Sequence, residues 1–318
     1  MALFLRRLSV FFAVIILLII IGLFLPPTPK SRYSQLFSEI KKDSLLVNVP
    51  APRLILIGGS NITFGLNSRL IKDSLKLNPV NAGIQMSVGA LYMLDNALNY
   101  IKPGDVVILA LEYSQYYGRA AYGEEALLKT LLDIPSDNKR TLRKQQLFNI
   151  IEYVPKYSFS KFNPDEYIFD RSEGIYTVNA FNEYGDADIH WNLSPRKIIP
   201  SGPENRKLND DLLEEFSRFN DKLNKLGASF FITFPCFQAS SYDNSRVQIE
   251  ELYRKLNERS LRLLGTPERY RMADSLVFDS PYHLTKQGVD LRTRLLIGDM
   301  IDNGIPDLIY TTGITGSI

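Results

Sequence analysis

Hydrophobic positions fall into three kinds of run along the chain. The first is continuous: residues 8–25 carry no charge, and Ser9 is the only polar side chain. Eighteen helical residues span roughly 27 Å, close to the thickness of bilayer hydrocarbon. The second kind is short and apolar, bounded by Gly, Pro or Asn, and predicts buried strands at 53–57, 79–83, 106–111, 229–234 and 276–278. The third has helical spacing. It predicts helices over 33–42, 66–77, 90–101, 209–226, 246–264 and 285–301, the fourth and fifth ended by Gly227 and Gly265. Strands that alternate with helices, and that do not themselves alternate apolar with polar, imply a mostly parallel sheet covered on both faces. The expected fold class is therefore α/β, a three-layer α/β/α domain on a five-stranded sheet, preceded by a transmembrane helix.

Residues 1–32 read as an uncleaved anchor and a stiff Pro-rich spacer, with one domain over 33–318. A signal peptide is the competing reading, but its apolar core is usually shorter and a small-residue cleavage site should follow. Here the run ends in Phe24-Leu25-Pro26-Pro27. The signal-anchor arrangement then places the chain in the cell membrane as a single-pass protein with the main domain exported. Between the third strand and residue 209 the alternation stops. This insertion, 115–208, is rich in aromatics: residues 113–191 hold 15 Phe, Tyr and Trp, against 11% aromatic overall. It predicts a small cap with its own aromatic core, a ligand-facing surface of Tyr113, Tyr116, Tyr117 and Trp191, or both.

Charge narrows the functional classes. The chain has 37 Lys and Arg against 35 Asp and Glu. Arg6 and Arg7 beside the apolar run account for the whole excess, which leaves the domain balanced and without a basic footprint for nucleic acid. A single cysteine excludes an intrachain disulfide, and one Cys with two His is too few for a structural zinc site. Cys236 reads as a small buried residue and His190 as surface or cap packing. Asp186, Asp188 and His190 make a thin set for a metal, so none is assigned. No glycine pattern matches a nucleotide-binding loop, and no cofactor is implied.

Ligands of parallel α/β sheets bind beyond the carboxyl ends of the strands. Three stretches put polar residues there. Gly58-Gly59-Ser60-Asn61 follows the first strand, and its glycines let the backbone turn sharply at Ser60. Asn81-Ala82-Gly83-Ile84-Gln85-Met86 follows the second and offers free backbone N–H groups. Asp279-Ser280-Pro281-Tyr282-His283 follows the last. There a loop can bring Asp279 to one imidazole nitrogen of His283, so that the other accepts a proton from Ser60.

In this order and spacing the three stretches resemble the SGNH (GDSL-type) hydrolase superfamily, over residues 53–111 and 209–300. Ser60 matches the nucleophile, Asn81 to Gly89 the second block, and Asp279, His283 and the following Leu284-Thr285-Lys286-Gln287-Gly288 the last. The resemblance implies a flavodoxin-like sheet and a serine esterase or O-acyltransferase with a Ser60–His283–Asp279 triad. Its oxyanion donors would be N–H groups of Ser60, Gly83 and Met86. Asn61, Glu112, Tyr113 and Tyr116 would face the substrate. The substrate expected of an anchored bacterial member is an acylated cell-envelope glycan or a small ester. The chain departs from the pattern at three points. Asp279 stands four residues before His283 rather than three, Met86 occupies a position aligned with glycine, and Leu109-Ala110-Leu111-Glu112-Tyr113 lacks the third block's Asn. A catalytically silent glycan-binding or assembly protein of the same fold is the alternative.

Overall fold

Strand β1, Arg53–Gly58, is buried at every position and carries a parallel neighbour on each side. The computed structural model describes residues 1–136, 138, 140–171 and 174–306. In chain order the strands are β1, β2 (Asn78–Asn81), β3 (Val106–Ala110), β4 (Ser229–Thr233), β5 (Phe237–Gln238), β6 (Leu263–Leu264) and β7 (Arg271–Met272). Five form one sheet in the order β2-β1-β3-β4-β6, all parallel, and β5 pairs with β7 beside it. Register runs Leu54 to Val106 and Ile57 to Leu109 between β1 and β3, so the carboxyl ends of the two central strands lie side by side.

Successive strand residues enter two separate cores, as the two-residue period of a strand requires. Leu54, Leu56, Val106 and Ile108 pack with Ile71, Leu75, Leu296 and Met300 from the helices Ser68–Leu75 and Lys286–Asp302. Ile55, Ile57, Val107 and Leu109 pack with Leu91, Leu94, Phe216 and Ile249 from the helices Ala90–Leu98, Asp210–Lys225 and Ala239–Asn257. Both faces of the sheet are thus closed to water.

The structure differs from the sequence reading at the end of the sheet. Residues 276–278 form no strand: a 3-10 turn covers Asp274–Leu276, and Val277 makes a single antiparallel bridge to Leu284. The fifth strand is β6, which the leucine spacing had assigned to the preceding helix. That helix ends at Asn257, Ser260 takes a left-handed φ of 52°, and Leu263-Leu264 then run extended beside Ile232-Thr233.

The N-terminal helix, Ala2–Phe24, is long and apolar enough to cross a membrane. The residues after it do not form a free spacer. Thr28 is buried, caps the short helix Pro29–Tyr33 and donates to Glu166 Oε2 at 2.7 Å. Within 115–208 the described residues hold short helices and loops. Their buried aromatics Tyr116, Tyr117 and Tyr157 join the larger of the two cores, and a small third cluster gathers Phe64, Ala180, Phe181 and Ala187.

Candidate active site

Ser60 opens a four-residue helical turn, Ser60–Thr63, directly beyond the carboxyl end of β1. Gly59 before it has no room for a side chain. A Cβ there would lie 2.4 Å from the carboxylate of Glu112, which arrives from the end of β3. Glu112 is buried; its Oε1 accepts the Asn61 N–H at 2.9 Å and the Ser60 hydroxyl at 3.3 Å, while Oε2 has no partner among the described residues. A buried carboxylate oxygen without a donor is costly, so this position is held against its own preference for water.

Asn61 is fastened from both sides. Its Nδ2 donates to Ala110 O at 2.9 Å, and buried Arg292 donates to its Oδ1 at 2.9 Å and to its backbone carbonyl. The turn bearing Ser60 is therefore pinned to β3 and to the helix Lys286–Asp302. Asn81 fastens the next loop, donating to Ile62 O and to Asp186 Oδ1. Lys42 Nζ donates to the carbonyls of Asn81, Gly83 and Gly185. Its burial lowers its pKa to about 7, partly offset by Asp186.

His283 and Asp279 meet in the loop before the last helix. Nδ1 of His283 lies 2.8 Å from Asp279 Oδ1, and Tyr176 donates to Asp279 Oδ2 at 2.5 Å. Burial raises the Asp279 pKa, but the hydrogen bonds from His283 and Tyr176 outweigh it and hold the carboxyl below its usual range. Burial, and then the adjacent Asp279, push the Tyr176 hydroxyl well up, so it stays a donor. The His283 ring stacks on Phe64 at 4.6 Å. Nδ1 faces the carboxylate, and among the described residues Nε2 has no hydrogen-bond partner.

Ser60 and His283 line one cavity of about 370 Å³, together with Met86, Glu112, Tyr113, Ser114 and Tyr117. The lining also includes the polar Ser201, Glu204, Ser245 and Gln248 and the largely apolar Phe237, Ile249 and Tyr282. The Ser60 hydroxyl is bonded to Glu112 and not to His283. Among the described residues neither the Ser60 nor the Met86 N–H has an acceptor, so both are open donors. The Gly83 N–H is taken by Asn81 Oδ1 at 3.1 Å. Asn61 and Tyr116 are buried and do not line the cavity; Asn61 braces the turn and Tyr116 packs edge-on against Phe216. Trp191 stands under the Lys286 ammonium, 4.6 Å away. His190 is buried with Nε2 3.0 Å from Leu284 O, and burial lowers its pKa to about 4. Cys236 is buried and donates to Tyr282 O, and burial raises its thiol to about 11. No group of His, Cys, Asp or Glu among the described residues is arranged to hold a metal ion.

Sequence reasoning missed Tyr176, Phe64, Lys42 and Arg292. Tyr176 sits 103 residues from Asp279 in a stretch without periodicity, and only the folded chain brings the two together. Arg292 carries a usable signal, a charge at helical spacing with Val289, Leu296 and Met300 on the buried side of the last helix, which also holds Asp299. No family model, curated protein or solved structure matches the chain.

Proposed function

We propose that the protein is a membrane-anchored serine esterase or O-acyltransferase built on the three-layer SGNH plan. It would act on ester-linked acyl groups of a cell-envelope polysaccharide from the exported face of the membrane. One observation carries this reading. His283, paired with Asp279, shares a cavity with a serine at a strand end, and among the described residues its nitrogen away from the carboxylate has no partner.

The chemistry follows from that arrangement. The Ser60 hydroxyl turns from Glu112 to His283 Nε2 and gives up its proton as Oγ attacks the ester carbonyl. Asp279, held by Tyr176, keeps the imidazole in the tautomer that accepts at Nε2 and stabilises the cation that forms. The N–H groups of Ser60 and Met86 receive the negative oxygen. The C–O bond to the alcohol breaks, the alcohol leaves with the proton from His283, and the acyl group stays on Ser60. Water or a sugar hydroxyl then takes the acyl group by the reverse sequence. The volume of the cavity and its mixed polar and apolar lining suit a sugar carrying a short acyl chain.

The resting bond of Ser60 to Glu112 favours a second reading, a glycan-binding protein that retains the fold without turnover. Aryl-acetate hydrolysis by the full chain separates the two. The enzyme reading expects measurable turnover that falls roughly 10³-fold or more in Ser60→Ala. Equal rates in the parent and Ser60→Ala would remove Ser60 as nucleophile.

A further inference from the structure

The apolar helix does not stand clear of the domain. It packs against the helix Val154–Ser160, and Gly22 meets the Ser158 backbone so closely that a Cβ would lie 2.4 Å from its carbonyl oxygen. Gly22 is buried and Ile15, Leu18, Ile19 and Leu23, on the same helical stripe, are partly covered, whereas Phe12, Ile16, Leu17 and Ile20 are exposed. Gly22 is three residues inside the end of the apolar run, roughly 4.5 Å by helical rise. The contact of Gly22 with the partner helix therefore lies near the hydrocarbon edge once the first helix crosses a bilayer.

The exit of the anchor is fastened at the same level. Lys161 Nζ donates to Pro26 O and to Asp133 Oδ1, Ser31 donates to Asp133 Oδ2, and Thr28 donates to Glu166. Around these bonds the segment 147–168 exposes Leu147, Phe148, Ile151, Phe159, Phe162 and Ile168, with Phe148 73% and Ile168 82% exposed. Six large apolar side chains in water within 22 residues of one another are unusual on a soluble surface. Lys30, Arg32 and Arg171 are exposed just past the end of the apolar run, where anionic headgroups would lie.

We propose that segment 147–168 is a second membrane contact, a lipid-facing surface continuous with the anchor that seats its apolar side chains in the interface of the bilayer. This rests on the first helix crossing the membrane and not on the proposed activity. It fixes the domain flat against the lipid rather than on a flexible tether. The expected substrate is then one presented close to the membrane surface.

The test uses the full chain in nanodiscs of phosphatidylcholine and phosphatidylglycerol. Single cysteines at Phe148, Phe159 and Phe162 carry a spin label, and collision rates with oxygen and with a water-soluble nickel chelate are compared. Cys236 is fully buried and does not compete for the label. Val14→Cys supplies the lipid standard and Val247→Cys, apolar and 79% exposed on the helix Ala239–Asn257, the aqueous one. The expected result is an oxygen-to-nickel ratio at the three sites several-fold above that of Val247→Cys and approaching that of Val14→Cys. A ratio equal to that of Val247→Cys overturns the proposal. Shielding from both reagents also overturns it, because it places a protein rather than lipid on this face. Low oxygen access at Val14→Cys overturns it as well, because the first helix then does not lie in lipid.

Discussion

Tyr176 grips Asp279 on the carboxylate oxygen that His283 leaves free, so the carboxylate is saturated from two sides. Tyr176→Phe removes a hydrogen bond to a charged group, worth about 1.5–3 kcal/mol. If that energy positions His283 during proton transfer, turnover falls about tenfold or more, read as kcat on an aryl ester. The Asp279 carboxyl, held low in the folded protein, stabilises the fold above the ordinary aspartate range. That contribution disappears as pH falls through the lower folded value. His190 acts in a higher window. Burial depresses its pKa from 6.5 to about 4, partly offset by the Leu284 carbonyl. The unfolded chain therefore binds the extra proton between those values, and stability declines as pH falls from 6.5 towards 4. His190→Gln is expected to flatten that slope in thermal unfolding measured across the window. An unchanged slope would assign it to other groups.

At the scale of elements, the loops beyond β1, β3 and the last turn make the site, and each is braced from outside its own stretch of sequence. Arg292 illustrates this. It reaches from the last helix to both oxygens of Asn61, beside Ser60. Arg292→Met leaves two buried acceptors without a donor, and a loss on the order of 3 kcal/mol is expected, read from the unfolding midpoint. The loops themselves were legible in the sequence because short apolar runs ended by Gly or Asn mark strand ends. So were β1 to β4 and the helices around them, whose periodicities are unbroken. The fifth strand was not. Two leucines at Leu263–Leu264 continue a helical spacing, and nothing local signals that Ser260 turns the chain before them. Gly83 was expected to donate to the oxyanion, but its N–H is claimed by Asn81 Oδ1, a contact two residues away that composition cannot reveal. Tyr116 and Asn61 were read as facing the substrate, yet burial turns both into supports.

At the scale of the whole molecule, the balanced charge of the domain and the basic pair at the apolar run are separate features of the chain. The domain carries no bulk charge to draw a substrate in, and its site depends on one cavity at the sheet end. The N-terminal apolar helix, in turn, is joined to the domain through Gly22, Thr28 and Lys161. The apolar helix and the cavity are thus parts of one folded unit, and a test of the proposed site belongs on the full chain in a bilayer. The central claim is that Ser60 is a nucleophile activated by His283. The most direct measurement is reaction of that preparation with a fluorophosphonate probe, followed by peptide mass spectrometry. The account predicts a covalent phosphonyl adduct on Ser60, absent in Ser60→Ala and strongly slowed in His283→Ala. Folded protein that carries no adduct on Ser60, or that forms it equally fast without His283, would contradict it.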